Sequence, residues 1–88
     1  MAHRDANMAA RDKITPEAPA EVLFDMGLAY YFGKGVEEDI REAHKWFNLA
    51  AIRGHGKARQ YRSELAAEMD TAELREALAR AREWIGLN

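Results

Sequence analysis

Apolar residues recur along most of this chain at helical spacing. Leu23, Met26, Gly27, Tyr30 and Tyr31 fall at i, i+3, i+4, i+7 and i+8, which is one face of a helix over about 19–32. Phe24, Leu28 and Phe32 lie on a neighbouring arc and leave Glu21 and Asp25 as the clear polar positions, so this helix is predicted to be buried on two sides. Gly33 and Gly35 break the period, because glycine enters the left-handed conformations of a helix end without a Cβ penalty. Val36 reads as an apolar pin for the turn. A second helix starts at Ile40, behind Asp39 with Glu42 three residues on, the spacing of a capping box. Its stripe of Ile40, Ala43, Phe47, Ala50 and Ala51, widened by Trp46, runs to the stop signal Gly54-His55-Gly56. Ala58, Tyr61, Leu65 and Met69 mark a third, shorter helix. Asp70 and Glu73 repeat the capping-box spacing ahead of a fourth, with Leu74, Ala77, Leu78, Ala81, Trp84 and Ile85 as its stripe and Gly86 as its end.

No alternating β-branched run occurs, and Ala, Leu, Glu and Arg dominate the second half, so the fold class is all-α. Residues 1–18 show no periodic face and read as a flexible arm, with 19–88 as the folded domain. Thr15-Pro16 keeps an alternative open: an N-cap and first-turn proline that extend the first helix backwards.

The helical pair fits a specific pattern: Met26, Gly27, Tyr30, Gly33, Gly35, Val36, Asp39, Ala43, Trp46, Ala50, Ala51 and Gly54. These residues resemble a Sel-1-like repeat, a relative of the tetratricopeptide repeat, with Met26 in place of the leading leucine. The resemblance is full over about 20–56. From about 57 to 86 it thins to what is similar to a degenerate capping hairpin, and Tyr61 to Trp84 lacks the Gly-x-Gly turn. It implies an α-α superhelix built from one complete hairpin repeat plus a cap, and a small adaptor or scaffold that binds a protein or peptide. Independently of the family, Gly27 inside a helix costs about 1 kcal/mol relative to alanine. It is therefore read as a point of close helix approach, opposite Ala43 and Ala50, with Tyr30 and Trp46 filling the edges.

At 88 residues there is room for one small domain, and with no cysteine it has neither disulfides nor thiolate metal sites. A net charge of −2 argues against a generally basic nucleic-acid-binding surface. The charged N-terminal stretch is not a signal peptide in composition, and no apolar run reaches a spanning length of roughly 18 residues, so a cytoplasmic protein is expected.

Chemistry-bearing residues are sparse. His44 reads as a solvent-facing or half-buried flank residue, and His55 as a helix-end imidazole whose protonated form suits the C-terminal dipole. Neither belongs to a metal-ligand spacing, and the single serine, Ser63, has no plausible triad partners. Glu37-Glu38-Asp39 reads as a solvated turn ending in an N-cap. No enzyme, cofactor or metal is expected. Arg53, Lys57, Arg59 and Arg62 form a local basic run, with Arg75, Arg80 and Arg82 candidates to lie near it. Together with Asp25 and Phe32 that run is the candidate partner surface, and it leaves binding of nucleic acid or another polyanion as a remote alternative. Repeat units bury their faces against neighbours. One repeat and a cap therefore predict an upstream edge, with Val22, Ala29 and the flanks of Trp46 and Phe47, covered either by the arm through Met8 and Ile14 or by a second copy in a two-fold dimer.

Overall fold

The computed structural model describes residues 17–86. Within them the chain forms α1 (Ala20–Phe32), α2 (Ile40–Ile52), α3 (Gly56–Glu68) and α4 (Thr71–Trp84). The N-terminal arm assigned to residues 1–18, the Thr15-Pro16 cap and the contacts sought for Met8 and Ile14 fall largely or wholly outside the described residues. The third helix is not markedly shorter than the others: it opens at Gly56 and, like α1 and α2, has 13 residues, against 14 in α4.

Glycine and carboxylates set the boundaries. Gly33 takes φ 71°, and the backbone N–H of Lys34 donates to the Ala29 carbonyl at 2.8 Å, closing α1 with the six-to-one bond of a left-handed C-cap. The N–H of Asp39 then reaches back to the Tyr30 carbonyl at 3.0 Å, and Val36 packs against the core, so the turn is pinned as its sequence predicts. Asp39 Oδ1 accepts from the amides of Arg41 and Glu42 at 3.0 and 3.2 Å. The second half of the predicted box is absent: Glu42 turns away from the Asp39 amide toward stronger, cationic donors. At α4 the box is complete, with Glu73 N donating to Asp70 Oδ1 at 2.7 Å and Asp70 N to Glu73 Oε1 at 3.0 Å. Between α2 and α3, Gly54 at φ 95° and the His55 amide bonded to the Ala50 carbonyl at 3.0 Å form a Schellman turn.

His55 does not serve the C-terminus of α2. It is the N-cap of α3, where its Nδ1 accepts from the Ala58 amide at 3.1 Å and its Nε2 faces Glu21 Oε1 at 3.1 Å. With Nδ1 accepting from Ala58, Nε2 is the ring donor toward Glu21. The imidazole also stacks on Phe24, with centroids 4.2 Å apart. One residue thus starts α3 and ties it to α1.

α2 is the helix against which each of the other three packs. Ala43, His44, Lys45, Trp46, Phe47, Leu49, Ala50 and Ala51 are all buried, so nearly its whole circumference is enclosed. Toward α1 the closest approach is Gly27 to Phe47: a Cβ at position 27 would run into Cδ1 and Cε1 of that ring. The small-residue contact proposed for Gly27 with Ala43 and Ala50 is therefore corrected; the glycine makes space for an aromatic. Phe47 in turn meets Phe24 at 5.7 Å, Tyr31 at 6.2 Å and Tyr61 of α3 at 5.0 Å.

Toward α4, Trp46 is 2% exposed and packs edge-to-face on Trp84 at 4.9 Å. The flanks of Trp46 and Phe47 consequently do not belong to an open upstream edge: α4 closes one, and the aromatics of α1 and α3 close the other. Polar groups reinforce the α2–α4 seam. Glu42 accepts from Trp46 Nε1 at 3.2 Å, Lys45 Nζ at 3.0 Å and Arg80 at 2.7 Å. Arg80 also binds Glu76 at 2.7 Å, and Arg41 pairs with Glu76 at 2.8 Å. Burial tends to lower the Arg80 pKa, but its hydrogen bonds to Glu76 and Glu42 and the charges of Glu42 and Asp39 outweigh this and raise it. Lys45, almost wholly buried, is tolerated because its ammonium sits between the Glu42 carboxylate and the Trp46 ring, 4.3 Å from the centroid.

His44 is likewise no flank residue. It is 2% exposed, and its Nδ1 has no hydrogen-bond partner among the described residues. Burial lowers its pKa, and the nearby Arg62 charge lowers it further. The reason is topological: position 44 lies on the side of α2 that an isolated amphipathic hairpin would leave open and that α3 covers.

Gly27→Ala tests the α1–α2 contact. Alanine should gain about 1 kcal/mol of helix propensity, yet the clash with Phe47 carries an overpacking cost of about 1–3 kcal/mol. A net fall in urea midpoint is expected, and Phe47→Leu in the same chain should reverse part of it. A more stable Gly27→Ala would refute the contact. His44 predicts a pH dependence. Its lowered folded pKa means that the unfolded chain takes up the proton first, near the ordinary value of 6.5. The stability contributed by keeping it neutral is full above that pH and is lost as pH falls from there toward the folded pKa. Denaturation midpoints between pH 7.5 and 5 should therefore slope less steeply in His44→Leu than in the native chain, and equal slopes would show that folding leaves this titration unchanged.

Candidate protein-interaction groove

An open groove of about 760 Å³ is lined by Tyr30, Tyr31, Phe32, Glu38, Asp39, Ile40, Arg41 and Glu68. Its position follows from the turns already described. The C-cap at Gly33 stops α1 with Tyr31 and Phe32 at its rim, the loop returns to Asp39, and α2 begins with Ile40 and Arg41 on the facing wall. The last residue of α3, Glu68, closes the side. Tyr31 and Phe32 meet edge-to-face at 4.9 Å, and Phe32 is 56% exposed, a large aromatic surface left facing water.

Charges in the groove differ in how far they are engaged. Asp39 is occupied by the α2 amides and lies 3.8 Å from Arg80; Arg41 is occupied by Glu76 and lies 3.8 Å from Glu73. Glu38 and Glu68 are exposed and have no ion-pair or hydrogen-bond partner among the described residues. Glu38 lies against the Gly33 turn, its Cβ 3.6 Å from where a side chain on that glycine would begin.

The candidate surface read from the sequence is dispersed. Of Asp25, Phe32, Arg53, Lys57, Arg59 and Arg62, only Phe32 lines this groove; Asp25 is exposed elsewhere on α1. Arg53 holds the Glu17 carbonyl at 3.4 Å, and Arg62 is half-buried, donating to Asn48 Oδ1 at 3.0 Å. Lys57 borders a shallower depression of about 310 Å³ with Gln60, Tyr61 and Glu64, while Arg59 is two residues along α3, rotated by about 200°. Arg80 is engaged in the α2–α4 seam, away from the basic run. Adjacency in sequence thus separates on the helix, while Tyr31 and Glu68, far apart in the chain, converge.

No group of His, Cys, Asp and Glu among the described residues has the geometry of a metal site, and no described helix is long and apolar enough to cross a membrane. Comparison with known proteins gives one match and two blanks. Residues 20–55 match the family model of the Sel1 repeat, the segment that spans α1, the Gly33–Gly35 turn and α2. Neither a curated protein nor a solved structure matches the chain. Sel1 repeats are helical hairpins that generally mediate protein–protein interaction and are generally not enzymes. The matched segment coincides with the hairpin whose glycine turn, Asp39 cap and Trp46 core have just been described, and over residues 20–55 the chain is similar to a Sel1 repeat.

Proposed function

We propose that this chain is a small, non-enzymatic adaptor or scaffold that binds a segment of another protein in the groove between the α1 rim and the α2 N-terminus. The observation that carries the reading is Phe32, a large apolar side chain more than half exposed at the edge of this groove. Exposed aromatics in a concave, partly charged site are the composition of an interface anchor. The repeat motif residues serve this indirectly: Gly33, Gly35, Val36 and Asp39 hold the turn that sets the rim, while Gly27 lets α1 approach Phe47 of α2 behind it and Trp46 anchors α2 to α4. Residues 19–88 act as one repeat-and-cap unit in this reading, and a cytoplasmic location is proposed with it. The basic residues are dispersed or internally engaged, so binding of a polyanion ranks behind protein binding.

Capture from an extract of the native cell tests the reading with two matched variants. Phe32→Asp places a charge at the groove, and Leu78→Asp does the same at an exposed apolar position on α4. The proteins retained by the native chain should be lost by Phe32→Asp and kept by Leu78→Asp. An identical set for Phe32→Asp and the native chain would exclude the groove.

A second reading, self-association, draws support from α1, where Val22 is 37% exposed beside the half-buried Ala29. Light scattering behind a sizing column should then give twice the chain mass, and Val22→Asp should return it to one. A monomer at all concentrations would remove the two-fold dimer.

A further inference from the structure

We propose that the groove takes a basic segment of its partner, a lysine or arginine with an apolar neighbour. The inference rests on the reading of the groove as the binding surface and adds the class of ligand. Four observations converge on a cation.

The first is the balance of uncommitted charge. Asp39 and Arg41 are both engaged inside the protein, so a ligand meets them as a neutralised pair. Glu38 and Glu68 remain, one from the loop before α2 and one from the end of α3, and they approach from different walls of the groove. Two carboxylates without internal partners attract a cationic group placed between them and repel an anionic one.

The second is the ring of Phe32, which already has an ammonium on its face: Lys34 Nζ lies 5.7 Å from its centroid. A basic side chain of the partner would take the place of Lys34 on that ring. A third is the apolar surface of Tyr31 and Ile40 between rim and wall, which suits the methylene stem of a long basic side chain and an adjoining aliphatic residue.

The fourth excludes the opposite charge. A helix N-terminus ordinarily offers amides to an anion, but at α2 the amides of Arg41 and Glu42 are already taken by Asp39. An acidic segment would find those two donors taken and two carboxylates beside them. A purely apolar segment would strip water from Glu38 and Glu68 without replacing it, which is costly for a charged group.

The experiment uses the full chain, isotopically labelled for amide NMR at low ionic strength, and two synthetic peptides. One repeats Ala-Leu-Lys, and the other carries Glu in place of each Lys. The lysine peptide should shift the amide signals of Tyr31, Phe32, Glu38 and Glu68, and the glutamate peptide should not. The E38K/E68K variant should bind the lysine peptide about tenfold more weakly, the scale of two exposed pairs turned from attraction to repulsion. E83K, an exposed reversal on α4, should bind as the native chain does. If E38K/E68K fails to fold by circular dichroism, E38Q/E68Q replaces it, with a smaller loss expected.

Equal binding of both peptides at the groove would overturn the basic class while leaving the groove as a protein-binding site. Shifts located elsewhere, or none with either peptide, would overturn the proposal outright. So would lysine-peptide binding that appears only after residues 1–16 are deleted, since that segment of the chain would then be the occupant. Groove signals that move with protein concentration alone would assign the site to a second copy and overturn it equally.

Discussion

Enclosure of α2 is the constraint on which the rest of this structure depends. A 13-residue helix with three others packed around it buries eight of its side chains, so most of what it carries must be accommodated inside the protein. The apolar ones are straightforward. Phe47 occupies the space left by Gly27, and Trp46 meets Trp84. The polar ones determine how the outer helices sit. Glu42 gathers the Trp46 indole, the Lys45 ammonium and the Arg80 guanidinium, and that convergence holds α4 at one orientation along α2. A buried charge left without these partners would cost far more than any single exposed pair contributes, so the network specifies the α2–α4 arrangement as well as stabilising it.

The same enclosure accounts for the groove. Because α2 is covered along the middle of its length, its two ends are left at the surface, and the first turn, next to the Asp39 cap, lines the groove. The C-cap of α1 delivers Tyr31 and Phe32 to that turn, and the end of α3 delivers Glu68. In the proposed reading a partner would meet residues of α1, α2 and α3, placed by the core, together with Glu38 of the loop between α1 and α2. Rigid support of this kind lowers the ordering cost of binding.

Much of the architecture was legible in the chain because local rules and packing agree there. The spacing of Leu23, Gly27 and Tyr30, the glycines at 33, 35 and 54, and the Asp39 and Asp70 caps each specify a boundary or a buried face within a few residues of sequence. The Sel1-like pattern added the pairing of the first two helices, and the family match over residues 20–55 agrees with it. Where local reasoning was displaced, a distant partner was the cause. Glu42 leaves its capping role for Arg80, His55 caps the helix that follows instead of the one before, and Gly27 accommodates an aromatic ring instead of alanines.

By itself, then, the sequence determined four helices, their ends and the inward faces of α1 and α2, because periodicity and capping act over a few residues. Tertiary structure alone decided which side of α2 each neighbour takes, and therefore that His44 and Lys45 are buried and that Trp46 belongs to the α4 contact. It also decided the candidate site. The basic run from Arg53 to Arg62 is contiguous in sequence and dispersed by the helical rotation of α3. Tyr31, Glu38 and Glu68 carry no shared signal in sequence and converge only when α3 has packed against α2. Proximity between elements depends on packing angles and on which faces are occupied, and those are properties of the assembled core.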